Sequence, residues 1–404
     1  MIAIGTKDYQ RVIITLALGS FVVFCNLYLF QPMLPHMAQH FSVTETQINW
    51  LFAATTLVLS VSLVPWAVAS ESIGRKKVMI LGLLAMPLVS IGMLLLPSLT
   101  GLVVMRALMG IAIAAFASVA VAYMAEELST TAFNQAIGGY IAANSLGGIS
   151  GRVIGGVLTD SLGWEQAVMT MAAITLIGAL LVMIFLPKQK HFSPQRGLLR
   201  YHNRAVIKHL KNKTLMLAML IGGVNFALFV NLYSVMGFRL VEAPHFLPIG
   251  LASLIFLCYL PGTISSKLTS IWCLRYCPIS GMMIGTAISF IGMIVAYFES
   301  IPLMIIGLCF ISFGAFFTHT LAYSWVSQKA TNAKATATAL YLVHYYVGGS
   351  LGGFLLIYCW QHGGWLMVMG GGLLLYLTIF ALCHQLKKGS ITGSRTVHFN
   401  RLQQ

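Results

Sequence analysis

Acidic residues are scarce in this chain: nine Asp and Glu stand among 404 residues, and all charged residues together make up 8%. A soluble globule commits about a quarter of its residues to charge, so this composition excludes one. With 58% hydrophobic residues and a mean hydropathy of +0.86, the chain reads as an integral membrane protein. The net charge of +15 does not point to nucleic acid. Such binding needs a basic face on a folded domain, and here Lys and Arg fall between long apolar runs. No P-loop, nucleotide-binding cassette motif, zinc signature or nucleophile elbow is present, so no cofactor, metal or catalytic centre is expected. The seven cysteines add little. Cys25, Cys258, Cys309, Cys359 and Cys383 lie in apolar runs, where a free thiol behaves as a small hydrophobe. Cys273 and Cys277 lack the second Cys/His pair that a tetrahedral metal site requires.

What is abundant is apolar sequence in lengths that match a bilayer core. Twelve runs fit, at roughly 11–34, 47–69, 78–97, 101–125, 134–158, 165–186, 214–236, 247–267, 278–298, 302–326, 337–359 and 365–386. Six lie on each side of Lys188–Lys213, a stretch with eight Lys/Arg plus Ser193, Pro194 and Gly197 that is too polar to cross lipid. The expected fold is therefore an all-α membrane protein. Its twelve transmembrane helices form two pseudo-symmetric six-helix bundles, residues 1–187 and 214–404, joined by a basic linker, 188–213, with a tail after the last run. The first run has no A-x-A-like cleavage site and is followed by further spans, so it does not read as a removable signal peptide.

Short cytoplasmic loops are enriched in Lys and Arg. With the N-terminus inside, all but three of the 24 basic residues fall on one side. The exceptions are Arg106, Arg152 and Arg239, and the opposite loops carry Glu45, Asp160, Glu165, Glu242 and Glu299 instead. Both termini are expected to be cytoplasmic.

An internal repeat supports the two halves. Residues 140–164 and 341–365 align at a single offset of 201, at which Tyr140, Gly147, Gly148, Gly151, Gly163 and Trp164 meet Tyr341, Gly348, Gly349, Gly352, Gly364 and Trp365. A solenoid unit runs to only about 20–50 residues, whereas parallel repeats of this length suit a transporter that rocks around a central site. Gly147, Gly151 and Gly155 share one helix face, and Gly348 with Gly352 repeats the device. Such small-residue faces let helices approach closely in lipid, either as fixed packing or as seams that slide during alternating access.

Charge inside a membrane is costly and marks function by default. Arg106 in the fourth run and Arg152 in the fifth have no mid-membrane Asp or Glu beside them in the sequence. Either Arg106 snorkels to the interface and Arg152 bonds carbonyls and Tyr hydroxyls as a structural tie, or they line a cavity and attract an anion. His319, His344 and Glu126 are the candidate proton carriers, the histidines because imidazole titrates near neutrality. Asn26, Gln31, Asn144, Asn225, Asn231, Tyr341, Tyr345 and Tyr346 are the candidate substrate contacts. Such polar groups point to protein or water rather than lipid, as contacts of a partly aromatic solute or as ties between helices.

These residues carry a family resemblance. Twelve runs in two parallel halves, joined by a basic linker, resemble the major facilitator superfamily, and AVASESIGRKKVMIL is similar to its G-x-L-A-D-R-x-G-R-K motif. Gly74, Arg75 and Lys76 match it, Glu71 stands at the Asp, Ala67 replaces the first Gly and Ser72 replaces an Arg. LVVMRALMGIAIA is similar to a second motif, R-x-x-x-G, at Arg106 and Gly110. The overall pattern, with its GW endings, looks most like the bacterial acriflavine-sensitivity branch of drug/proton antiporters. The fifth run departs from that branch, with Arg152 at the place of a proline.

The resemblance implies the major facilitator fold and a gating motif at Glu71, Gly74, Arg75 and Lys76. In that motif Glu71 would sit against the positive N-terminus of the eleventh helix, near Ala335 to Ala339. It further implies a monomeric secondary transporter of the bacterial inner membrane that is not an enzyme. Proton-coupled export of small organic or drug-like compounds is the expected function, with protons, a small-molecule substrate and the lipid bilayer as partners and no nucleic acid. The alternative is an organic-anion carrier, with uptake as an option, that uses the intramembrane Arg residues. A membrane-embedded enzyme or channel is the remaining class.

Overall fold

The computed structural model describes residues 1–192, 199–330 and 333–401, apart from the side chains of 199–203, 335 and 390–401. Ser193, Pro194, Arg196 and Gly197 of the expected linker lie outside the described residues. Regular structure among the described residues is helical, with one isolated bridge from Ile2 to Leu128. In chain order the helices are α1 Lys7–Tyr28, α2 Leu34–Phe41, α3 Glu45–Ile48, α4 Trp50–Ile73, α5 Arg75–Leu95, α6 Leu99–Ala117, α7 Ala120–Glu127, α8 Thr130–Leu162 and α9 Trp164–Phe185. There follow α10 Leu199–Lys211, α11 Lys213–Val241, α12 Ile249–Ala252, a 3-10 segment Ser253–Cys258, α13 Tyr259–Arg275, α14 Pro278–Val295, α15 Ile301–Lys329 and α16 Lys334–Arg401.

Ten helical stretches among the described residues are long and apolar enough to cross a membrane. Two further spans complete the expected twelve. The last stretch, Thr336–Gly389, is interrupted at Gly363 and Gly364, and α8 has the length but is diluted by glycine and polar residues.

The breaks follow proline and glycine. The expected first helix stops at Tyr28 rather than 34, because Pro32 has no N–H to continue the ladder and its ring crowds the preceding turn. Gln31, expected inside that helix, therefore sits in the turn that follows it. Pro261 acts likewise on the eighth run, which tightens into the 3-10 segment before α13. The fourth run divides at Ser118, whose hydroxyl bonds back to the Ala114 carbonyl at 2.7 Å, a competition that bends helices. Gly163 has φ 89° and Gly364 φ 58°, a left-handed backbone that glycine takes without penalty. The repeated Gly-Trp pairs thus mark equivalent turns, each followed by a buried Trp, Trp164 and Trp365.

The chain forms two compact units, Met1–Arg200 with Ser234–Phe256 and Tyr201–Tyr233 with Leu257–Gln404. In the first, α8 lies along α1, α6 along α4, and α9 against α1 and α5. In the second, α15 is central, packed by α13 and α14, with α16 alongside. Leu88, Leu95, Ile177, Ile184, Ile264 and Leu374 are exposed, while Arg106, Arg152, Asn26, Asn231 and many Ser and Thr are buried. An apolar exterior around a polar interior is the arrangement that lipid as solvent demands.

Candidate functional site

In the first unit, glycine spacing sets how closely the helices meet. A Cβ at Gly147, Gly151 or Gly155 would run into the backbone of Phe21 or Cys25 of α1 or of Leu29 at its end, one turn apart on both sides, so α8 lies directly on α1. The R-x-x-x-G residues do the same for α6 on α4. Gly110 faces the Thr55 carbonyl, and one turn away Arg106 Nε donates to the Leu51 carbonyl at 2.9 Å.

Arg106 reaches further. Its two terminal nitrogens donate to the carbonyls of Asn26 and Leu27, both at 3.0 Å, and its guanidinium lies 4.7 Å from the centre of Phe30. Those carbonyls belong to the last turn of α1, which a helix leaves short of N–H partners and slightly negative. Arg106 therefore caps α1 and is 1% exposed; it does not snorkel to the interface, because its acceptors lie inside.

Arg152 is equally buried. Nε donates to Gln31 Oε1 at 2.7 Å and Nη1 to the Gly148 carbonyl at 2.8 Å. The guanidinium stacks 3.6 Å from the Tyr28 ring centre, with Phe256 at 4.9 Å. Gly148 leaves the room for this, since a Cβ there would stand 3.3 Å from Nη1. Gln31 continues the chain by donating to Ser234 Oγ at 2.8 Å. The other polar candidates of this unit separate. Asn26 donates to Thr175 of α9 at 2.7 Å, and Asn144 of α8 pairs with Ser20 of α1. Each bridges two helices.

At one end of this unit, Gly74 (φ 104°) turns the chain from α4 into α5. Arg75 holds Glu126 at 2.8 and 3.0 Å, Ser70 Oγ and, more loosely, Glu71 at 3.9 Å. Glu126 is thus an ion-pair partner of the motif arginine. Lys76 takes Gln189 Oε1 on its backbone N–H at 3.0 Å and donates its ammonium to the Leu186 carbonyl. Ala335, at the end expected to face Glu71, has its side chain outside the described residues. Sequence reasoning passed over Glu127, although it is fully buried. It accepts from the Lys190 and His191 backbone N–H groups at 2.9 and 3.0 Å and meets the His191 ring at 3.2 Å. Two adjacent glutamates carry no signal that separates them.

In the second unit, Asn225 donates to the Ala315 carbonyl at 3.0 Å, and Asn231 to the carbonyls of Ala227 and Gly349 at 2.9 and 2.8 Å. Gly348 and Gly352 of α16 press on Gly223 and Ala227 of α11. The tyrosines converge. The Tyr341 hydroxyl lies 2.9 Å from His319 Nδ1, and Tyr345 stacks on Phe226 at 3.9 Å between centroids and meets the His319 ring at 4.4 Å, tilted by 48°. Tyr346 meets Phe226 edge-on at 5.9 Å. His344 stays apart, its Nδ1 2.8 Å from the Leu340 carbonyl of its own helix. A second aromatic group, Phe229, Tyr233, Tyr259 and Phe316, with centroids 4.6–5.5 Å from Phe229, was not foreseen. Its members come from α11, α13 and α15, and beyond the i, i+4 pair Phe229 and Tyr233 no local spacing links them.

A sequence profile of the Major Facilitator Superfamily matches residues 16–353. The chain is similar to the uncharacterized MFS-type transporter YybF of Bacillus subtilis, 31% identical over 366 residues and 91% of each chain. It is 32% identical over 363 residues to the inner membrane transport protein YnfM of Escherichia coli, covering 89% of this chain and 87% of that one. The solved structure of the nucleoside transporter NupG superposes with a TM-score of 0.74 over 92% of this chain and 99% of its own, at 13% identity, a likeness of fold.

Proposed function

This chain belongs to the Major Facilitator Superfamily and is a multi-pass membrane protein, and we propose that it exports small organic, drug-like compounds in exchange for protons by rocking-bundle alternating access. The observation that carries this reading is the aromatic cluster of the second unit, with His319 bonded into it through Tyr341. Tyr345, half-buried where its ring meets Phe226 and His319, supplies aromatic surface of the kind that suits a lipophilic aromatic cation. His319 lies within 4.4 Å of the same Tyr345 ring, so a protonated imidazole and a bound cation oppose each other by roughly 3 kcal/mol at about 5 Å and an effective dielectric of 20. Mutual exclusion of proton and substrate at one place is exchange.

The arginines support a cationic cargo over an anionic one. Arg106 has Nε and both terminal nitrogens on backbone carbonyls, and Arg152 is covered by Tyr28 and tied to Gln31 and Gly148. His319 is the proposed proton carrier, since Glu126 pairs with Arg75 and His344 bonds within its own helix. The Glu71, Gly74, Arg75 and Lys76 motif is the proposed inner gate. The resemblance to drug/proton antiporters supports the outward direction, and the positive-inside bias supports cytoplasmic termini in a bacterial inner membrane. The complete pathway is assigned to one chain acting as a monomer.

The test uses sealed proteoliposomes carrying an internal pH dye. Acriflavine is expected to move protons against a protein-free control, and an aromatic carboxylate such as benzoate is expected not to. A response to the carboxylate alone would overturn the proposal and place Arg152 or Arg106 in the binding site of an organic-anion carrier.

A further inference from the structure

We propose that α10 is a docking surface for anionic phospholipid headgroups, set where the chain enters the bilayer at α11. Ala205 and His209, one turn apart, are buried, so that face of α10 is turned to the protein. Arg204, Lys208 and Lys211 cluster on the adjoining side of the helix and are exposed. Beside them Ile207 is 53% and Leu210 38% exposed. The three cations, Ile207 and Asn212 line a shallow, wide-open cleft on the surface of this helix.

Asn212 fixes this helix at the membrane end of α11. Its Oδ1 accepts from the backbone N–H groups of Thr214 and Leu215 at 3.2 and 3.3 Å and from the Thr214 hydroxyl at 2.8 Å, closing the first turn of the spanning helix. No Asp or Glu occurs between Glu165 and Glu242, so the sequence around the cleft supplies no carboxylate to answer the cations. An anion from outside is the complementary occupant.

The apolar residues decide which anion. A soluble phosphate has no use for an exposed Ile and Leu among the cations. A phospholipid does, because a helix in the interface plane places basic groups at the headgroups and apolar side chains at the acyl boundary. Attraction of each Lys or Arg to an anionic leaflet corresponds to about fivefold in affinity. Three cations therefore give about a hundredfold preference for an anionic over a zwitterionic lipid.

The experiment titrates the full-length protein, in mild detergent, with phosphatidylglycerol or phosphatidylcholine and counts bound lipids by native mass spectrometry. Wild type is expected to prefer phosphatidylglycerol, and Arg204→Gln/Lys208→Gln/Lys211→Gln to lose that preference. The charge-matched variant Lys188→Gln/Lys190→Gln/Lys387→Gln is expected to keep it. Equal losses in the two variants would show a net-charge effect, and displacement of the lipid by glycerol phosphate at matching concentration would show a soluble-anion site; either overturns the proposal. Lys208→Gln alone guards against misfolding of the triple variant. It is expected to weaken phosphatidylglycerol binding about fivefold, and an unchanged affinity counts against the surface.

Discussion

The Tyr341 hydroxyl and His319 Nδ1, 2.9 Å apart, join α15 to α16 at the centre of the aromatic cluster in the second unit. A titratable ring held by a phenol beside the tilted rings of Tyr323 and Tyr345 is the arrangement on which the exchange reading stands. His319→Gln keeps a polar side chain there and removes titration. Acriflavine-driven proton movement is expected to fall by about tenfold or more, while acriflavine binding to the detergent-solubilised protein persists. Proton movement at the wild-type rate would remove His319 from the mechanism.

Tyr341→Phe deletes only the hydroxyl, which meets both the ring Nδ1 and, at 3.2 Å, the backbone carbonyl of His319. Each buried neutral hydrogen bond is worth about 1 kcal/mol, so a modest fall in melting temperature is expected. The pH profile of transport is expected to shift, because the imidazole loses its fixed partner. A variant whose stability drops with no change in the pH profile would make Tyr341 a packing residue.

Arg106 fastens α6 to both α1 and α4. Arg106→Lys keeps the charge and loses the fork that reaches three carbonyls. Two forfeited charge-assisted bonds at about 1.5–3 kcal/mol each put the expected destabilisation at about 3 kcal/mol or more. Thermal unfolding of the detergent-solubilised protein, followed by loss of the monodisperse peak, measures it. A Lys variant as stable as wild type would mean that the cap on α1 carries little of the fold.

Two glycines of α8 should respond in opposite directions to one methyl group. A Cβ at Gly151 would stand 2.5 Å from the Cys25 Cα and carbonyl oxygen, whereas at Gly138 nothing lies within 4 Å. Gly151→Ala is expected to force α8 off α1 and reduce folded yield. Gly138→Ala should stabilise by up to about 1 kcal/mol, the helix-propensity gain of Ala over Gly. The same unfolding assay reads both, and equal effects would contradict the close α1/α8 approach.

Glu127 anchors the segment after α9. Glu127→Ala leaves the Lys190 and His191 N–H groups without their acceptor, and bonds to a charged group are worth about 1.5–3 kcal/mol each. Trypsin cleavage at Lys188 and Lys190 in everted membrane vesicles is expected to speed up by about tenfold or more. Glu126→Ala is expected to loosen the Arg75 loop instead and leave that cleavage rate nearly unchanged.

The sequence by itself determined that the chain lives in lipid, where its twelve spans fall, and that its halves share a plan. Those properties are local: hydropathy is a sum over about 20 neighbouring residues, Pro32 and Pro261 interrupt a helix through their own rings, and the Gly163 and Gly364 turns recur because glycine alone takes a left-handed backbone without penalty. The four-residue spacing of Gly147, Gly151 and Gly155 likewise announced a close contact, though not that α1 would fill it.

Only the tertiary structure decided what each buried polar group would hold. Arg106 finds the end of α1 because that helix stops early and leaves carbonyls short of donors. Arg152 finds Tyr28 because Gly148 has no side chain in the way, and Glu127 is engulfed where Glu126 beside it meets Arg75. The physical reason is that burying a polar group costs free energy until a partner is supplied. That partner comes from another helix, tens to hundreds of residues away along the chain.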